Sequence, residues 1–162
     1  MRRRLDELGL DARVSSAGIL YDGKPATPTG VEVMATRGLD TSGHTSRMLQ
    51  RELLEVDLVL GMAREHVREA VMLRNDILPR TFTLKELVRR GEAAGPRDPA
   101  STLDPWLAVI AEGRQPRDLL GASRDDDVAD PIGQGAKVYE KTADELDDLV
   151  ARVIDLIWPE TG

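Results

Sequence analysis

Asp57-Leu58-Val59-Leu60-Gly61-Met62 is the stretch on which the fold turns. It is an apolar run too short for a buried helix and too continuous for a strand with one wet face, so it reads as a strand of a parallel sheet covered on both sides. The next segment is helical: Ala63 to Leu73 carries Val67, Ala70 and Val71 on one face. Arg80-Thr81-Phe82-Thr83 then offers a second, very short strand, and Thr83-Leu84-Lys85-Glu86 matches a helix capping box that starts a helix through Arg90. Strand, helix and strand in this order form a crossover unit, and that unit predicts an α/β protein with a parallel sheet.

Upstream, Met1 to Leu8 reads as the last turns of a helix, with Leu5 and Leu8 on one face and Gly9 as its stop. No capping residue precedes it, and three arginines come directly after the first methionine, so it looks like a helix without a beginning. Ala12 to Ala17 is a strand candidate ending at Gly18. Thr27-Pro28 supplies a cap and a first-turn proline for a helix ending at Gly38, and Leu49 to Val56 reads as another helical stretch. Downstream, Gly95-Pro96, Asp98-Pro99, Asp104-Pro105 and Gln115-Pro116 punctuate a loop-rich excursion over 91–129, expected at the surface around one short helix near Trp106 to Glu112. The longest element runs from about Ala136 to Trp158, with Leu146, Leu149, Val150, Val153, Ile154 and Ile157 at helical spacing, and should pack across the sheet. Residues 1–162 are expected to form one domain: no repeat and no domain-scale linker interrupts them.

Composition bounds the function. The chain has 162 residues, a net charge of −7 and 31% charged residues without a basic stripe, which argues against nucleic acid as a partner. No apolar run approaches the roughly 18 residues of a membrane span, and Leu5-Asp6-Glu7-Leu8 does not read as a signal segment, so a cytoplasmic protein without a membrane partner is expected. There is no cysteine, which removes disulfides, thiolate metal sites and cysteine nucleophiles from these residues. His44 and His66 alone form no metal-ligand spacing, and no metal or other cofactor is expected. The acidic run Asp125-Asp126-Asp127 lacks calcium-loop spacing and reads as a solvated loop.

Four segments stand out together: Ser15-Ser16-Ala17-Gly18, His44-Thr45-Ser46-Arg47 with Leu49, Asp57 to Met62, and Asp130-Pro131-Ile132-Gly133. In this order and spacing the chain resembles the low-molecular-weight protein-tyrosine phosphatase family, whose fold is shared with a group of arsenate reductases. The resemblance runs from Leu5 to Ile157 and takes in Asp22 to Ala26, Arg64-Glu65-His66 and Thr81 to Leu87. It implies a three-layer sandwich with a short parallel sheet between helices. It also implies a phosphatase in which a C-x5-R-[ST] loop cradles phosphate, a thiolate attacks phosphorus, and an aspartate beside proline protonates the leaving oxygen. That aspartate maps to Asp130, although taken alone Asp130-Pro131 is an ordinary turn. Substrate-facing positions map to His44, Ser46 and Ile132. At Ile132 the family commonly has an aromatic beside the phosphotyrosine ring. His44 and His66 fit loop-orienting positions, and fit surface or boundary histidines equally well.

The family's first strand and phosphate loop are not found in these 162 residues. The resemblance therefore implies a sheet missing an interior strand at its N-terminal side, and the expectation is that Met1 is an internal methionine of a longer reading frame. The implied substrates, for a complete form, are phosphotyrosine proteins or small phosphomonoesters, and the chain as written is expected to be inactive. Two alternatives stand beside this: a non-catalytic binding module on the same fold, and an arsenate-reductase relative. Oligomeric state is not legible in the sequence.

Overall fold

The computed structural model describes residues 1–159. Its centre is the crossover unit: β1 (Val59–Gly61), α3 (Arg64–Leu73) and β2 (Thr81–Thr83), with the strands parallel and Val59, Leu60 and Gly61 opposite Thr81, Phe82 and Thr83. Alternate strand residues face opposite ways, so this register sorts side chains into two layers. Leu60 and Phe82 enter a large core with Leu87, Val88, Leu149, Val153 and Ile157; Val59 enters a smaller one with Leu54, Ala70 and Ile77. Helix α3 thus covers one face and α6 (Ala136–Ile157) with α4 (Leu84–Ala94) covers the other, which is the three-layer α/β arrangement expected from the resemblance.

Around this centre, α1 (Arg2–Glu7) buries Leu5 but leaves Leu8 60% exposed, and Gly9 stops the helix at φ +65°. Arg4 forks onto Asp147 of α6 at 2.7 and 3.2 Å. Helix α2 (Pro28–Thr36) begins as read from the sequence: Thr27 Oγ1 accepts the Gly30 N–H at 3.2 Å and lies 2.9 Å from the Tyr139 hydroxyl of α6.

Four local expectations are corrected. Ala12 to Ala17 is not a strand. No described strand lies beside it, and guanidinium donors take its carbonyls instead, Arg2 on Val14 and Arg47 on Ser16, both at 2.7 Å. Among the described residues, one parallel bridge follows it, Gly18 to Met48. Leu49 to Val56 is not an α-helix: Leu49 donates its N–H to Gly18 O at 2.7 Å, which holds it extended and leaves one 3-10 turn, Arg51–Leu54. Helix α4 does not stop near Arg90. It continues through Gly91, where a Cβ would lie 2.8 Å from Leu156 Cδ1 and 3.0 Å from Trp106 Cζ2, so glycine there serves helix packing rather than chain reversal.

The fourth correction concerns 91–129. The segment is rich in loops, but it is no surface excursion: α5 (Leu103–Ala111) buries Trp106, Leu107 and Ile110, and Leu119 and Val128 are buried beyond it. Trp106 donates its indole N–H to Gly95 O at 2.8 Å, which satisfies its polar edge inside the core.

Candidate active site

In open parallel sheets, ligands bind beyond the carboxyl ends of the strands. The segment that reaches this end is 123–134. Val128 donates its N–H to Met62 O, just past β1, at 2.7 Å, and its side chain is buried. On one side of it, the Asp127 carboxylate accepts the Arg64 N–H at the first turn of α3 (2.8 Å) and the Ser123 N–H (2.7 Å). This supplies the cap that Ala63 lacks the side chain to provide. Asp126, only 5% exposed, accepts two bonds from Arg64 at 2.6 and 3.0 Å and one from Arg89 at 2.8 Å. Burial by itself would push the Asp126 carboxyl up, but the bonds from Arg89 and Arg64 prevail and hold it below the usual aspartate value. The acidic run is therefore a fastening, not a solvated loop, which corrects the sequence reading.

Beyond this fastening the chain turns outward. Asp130 is exposed; its Oδ1 accepts the Ile132 N–H at 2.9 Å, Pro131 O accepts the Gln134 N–H at 2.9 Å, and Gly133 closes the turn at φ +79°. This is an Asx turn, built from the Asp-Pro pair as its residue types dictate. Among the described residues no lysine or arginine pairs with Asp130. Ile132, 64% exposed, points its apolar side chain to solvent from the same turn.

His44 and Ser46 lie elsewhere, on the 40–49 loop. Ser46 is consumed structurally: its hydroxyl accepts the Lys24 N–H at 3.0 Å, its N–H donates to Lys24 O and its carbonyl accepts from Gly23 N–H, both at 2.7 Å. His44 is exposed, its N–H on Thr41 O at 3.1 Å, next to the Pro25–Thr45 bridge. Among the described residues, no hydrogen bond or ion pair joins this loop to the Asp130 turn. Asp130 and Ile132 share one turn; His44 and Ser46 share another loop. His66 acts on its own helix, its Nδ1 accepting the Ala63 N–H at 3.2 Å, an N-terminal tether for α3.

Residues 1–110 match the family model for low molecular weight phosphotyrosine protein phosphatase, a match that ends before the Asp130 turn. The chain is 28% identical to a protein-arginine-phosphatase of Bacillus subtilis (strain 168) over 148 residues, 90% of this chain and 75% of that protein. It superposes on the crystal structure of a low molecular weight protein tyrosine phosphatase from T. tengcongensis with a TM-score of 0.68 and 31% identity, over 94% of this chain and 83% of the other. The YwlE arginine phosphatase from Geobacillus stearothermophilus is similar too, with a TM-score of 0.65 and 25% identity over 93% and 78%.

Proposed function

Because the chain belongs to the low molecular weight phosphotyrosine protein phosphatase family, we propose that it carries the leaving-group half of a phosphatase site, with Asp130 as the general acid. The supporting observation is placement: Asp130 stands two residues past the Val128–Met62 bond, beyond the carboxyl end of β1, with its carboxylate outside any described ion pair. A carboxylic acid so placed can give its proton to the leaving atom as the bond to phosphorus breaks, a role worth roughly 10²–10⁴ in rate. The attacking group is not among these residues, since the chain has no cysteine. Ile132, beside Asp130, and His44 and Ser46 on the 40–49 loop would face the group that carries the phosphate. A cytoplasmic setting belongs to the same proposal.

The substrate is a phosphorylated protein side chain in this reading. Phosphotyrosine is the substrate the family name carries. A second reading, phosphoarginine, is favoured by Ile132, which offers no ring to stack against a tyrosine, and by the two arginine phosphatases among the similar proteins. Its leaving nitrogen is a poor leaving group and needs protonation as much as an aryl oxygen does.

The purified chain should not hydrolyse p-nitrophenyl phosphate or phosphoarginine; turnover that disappears in Asp130→Ala would show that a nucleophile is present after all. The acid role is tested after reading the DNA upstream of the Met1 codon in frame. Where that frame supplies an apolar strand and C-x5-R-[ST], the longer product should be active. In it, Asp130→Asn should lower kcat/KM more for phenyl phosphate than for p-nitrophenyl phosphate, because the better leaving group needs less protonation. Equal losses on the two substrates would sink the assignment.

A further inference from the structure

A cleft of about 380 Å³ opens between α4, the first turn of α3 and the 114–119 segment, and its lining is dominated by arginine: Arg64, Arg89, Arg90, Arg114 and Arg117. Three carboxylates share it, Glu86, Asp118 and Asp126. The balance is positive in a chain whose net charge is −7.

The donors and acceptors are unequally spent. Glu86 is occupied by Arg90 (3.1 Å) and by Nε and Nη2 of Arg114 (2.8 and 3.1 Å), and Asp126 by Arg64 and Arg89. Asp118 accepts the Gln115 N–H at 2.8 Å. Arg114 is likewise committed, with its remaining donors on Leu78 O and Thr81 O at 2.7 Å. Arg89 is not: it makes one bond, to Asp126, and its side chain stays 56% exposed. Arg117 is exposed and has no side-chain partner among the described residues. Glu86 and Asp126 are held by arginines and Asp118 takes a backbone N–H, while the Arg89 and Arg117 guanidinium groups on the cleft's lining keep N–H donors without a partner among the described residues.

We propose that this cleft is a binding site for a small phosphoryl-bearing anion, gripped by Arg89 and Arg117 and seated against the Arg64–Asp126 pair. Guanidinium forks match phosphoryl oxygens in charge and in geometry, and a concave site lets several reach one group. A small ligand is favoured over an extended polyanion by the charge of the molecule as a whole: at −7 the chain repels a long acidic partner, whereas a compact anion inside the cleft meets mainly its local positive surplus. The site does not depend on Asp130, and its test reads binding rather than turnover.

The purified chain is titrated with pyrophosphate at low ionic strength, with arginine side-chain N–H resonances followed by NMR. Saturable shifts of Arg89 and Arg117 are expected, with Kd below about 1 mM. Arg89→Ala/Arg117→Ala should raise Kd about tenfold or more, while Arg13→Ala, outside the cleft, should leave it unchanged. Asp126→Asn should tighten binding severalfold, since it removes one negative charge and returns donors of Arg64 and Arg89 to the cleft; a merely structural ion pair would gain no affinity. Absence of saturable shifts, or equal Kd in the double arginine variant, overturns the site, as does weaker binding in a folded Asp126→Asn variant.

Discussion

Arg114→Met tests how much of the fold hangs on one buried cation. Arg114 is 4% exposed at its side chain and lies across the ends of several elements. It bonds both oxygens of Glu86, takes the Leu78 and Thr81 carbonyls at 2.7 Å, and sits 4.2 Å above the Phe82 ring. Methionine keeps length and apolar volume but removes every donor. Removing one partner of a buried pair costs about 3–5 kcal/mol, because the other charge is left behind. Two carbonyls losing charge-assisted bonds add about 1 kcal/mol each, and Arg90, still 3.1 Å from Glu86, returns part of the loss. We expect a net loss of about 4 kcal/mol. With a urea slope of about 2 kcal/mol/M, the unfolding midpoint should fall by about 2 M. The companion variant Arg114→Met/Glu86→Gln should cost less than the sum of the single changes by at least about 2 kcal/mol, since no buried carboxylate is then stranded and Arg90, 27% exposed at its side chain, keeps the Ile110 and Glu112 carbonyls. A loss below about 1 kcal/mol in Arg114→Met, or strict additivity in the pair, would refute the reasoning.

Three further outcomes are expected from the same geometry. Asp126 titrates below the usual aspartate value of 3.8, so the stability it supplies is fully present above that value and is lost as pH falls below it; Asp126→Asn should flatten the acid limb of stability against pH, and an unchanged limb would contradict the assignment. Asp127→Ala removes acceptors from Arg64 N–H and Ser123 N–H and should cost about 1–2 kcal/mol in urea unfolding, with faster hydrogen exchange at both amides. Gly91→Ala gains about 1 kcal/mol of helix propensity, but its methyl collides with Leu156 and with a Trp106 ring pinned on Gly95 O. Overpacking of about 1–3 kcal/mol should prevail, and a raised thermal midpoint would show that Leu156 and Trp106 give way more easily than argued.

The legibility of each element in the sequence depends on where it gets its bonds. Val59–Gly61, α3 and Thr81–Thr83 were legible because an apolar run, a helical face and the Thr83 cap are local signals; Thr83 Oγ1 indeed accepts the Glu86 N–H at 3.1 Å. The other half of that capping box is absent, because the Glu86 carboxylate is drawn to Arg90 and Arg114 instead. Ala12 to Ala17 and Leu49 to Val56 failed for a shared reason: their backbone partners are remote, with Arg2 and Arg47 on one stretch and Gly18 on the other. Proline and glycine punctuation made 91–129 look peripheral, and it hid Trp106, Leu107 and Ile110, whose burial depends on α4 and α6.

The candidate site shows the same division more sharply. Asp126 and Asp127 carry no local sign of their role, because their arginine partners lie 37 to 63 residues earlier, at Arg89 and Arg64. Those contacts hold the chain that leads to the Asp130 turn. Here Asp126 takes Arg64 and Arg89, Asp127 takes the free amides of α3 and Ser123, and buried Val128, bonded to Met62, sets the distance to the turn. Among the described residues, Asp130 accepts the Ile132 N–H of its own turn and joins no ion pair. The two aspartates that looked like solvent decoration thus occupy the guanidinium groups and amides nearest to them, and among the described residues the turn that follows carries its carboxylate outside any ion pair.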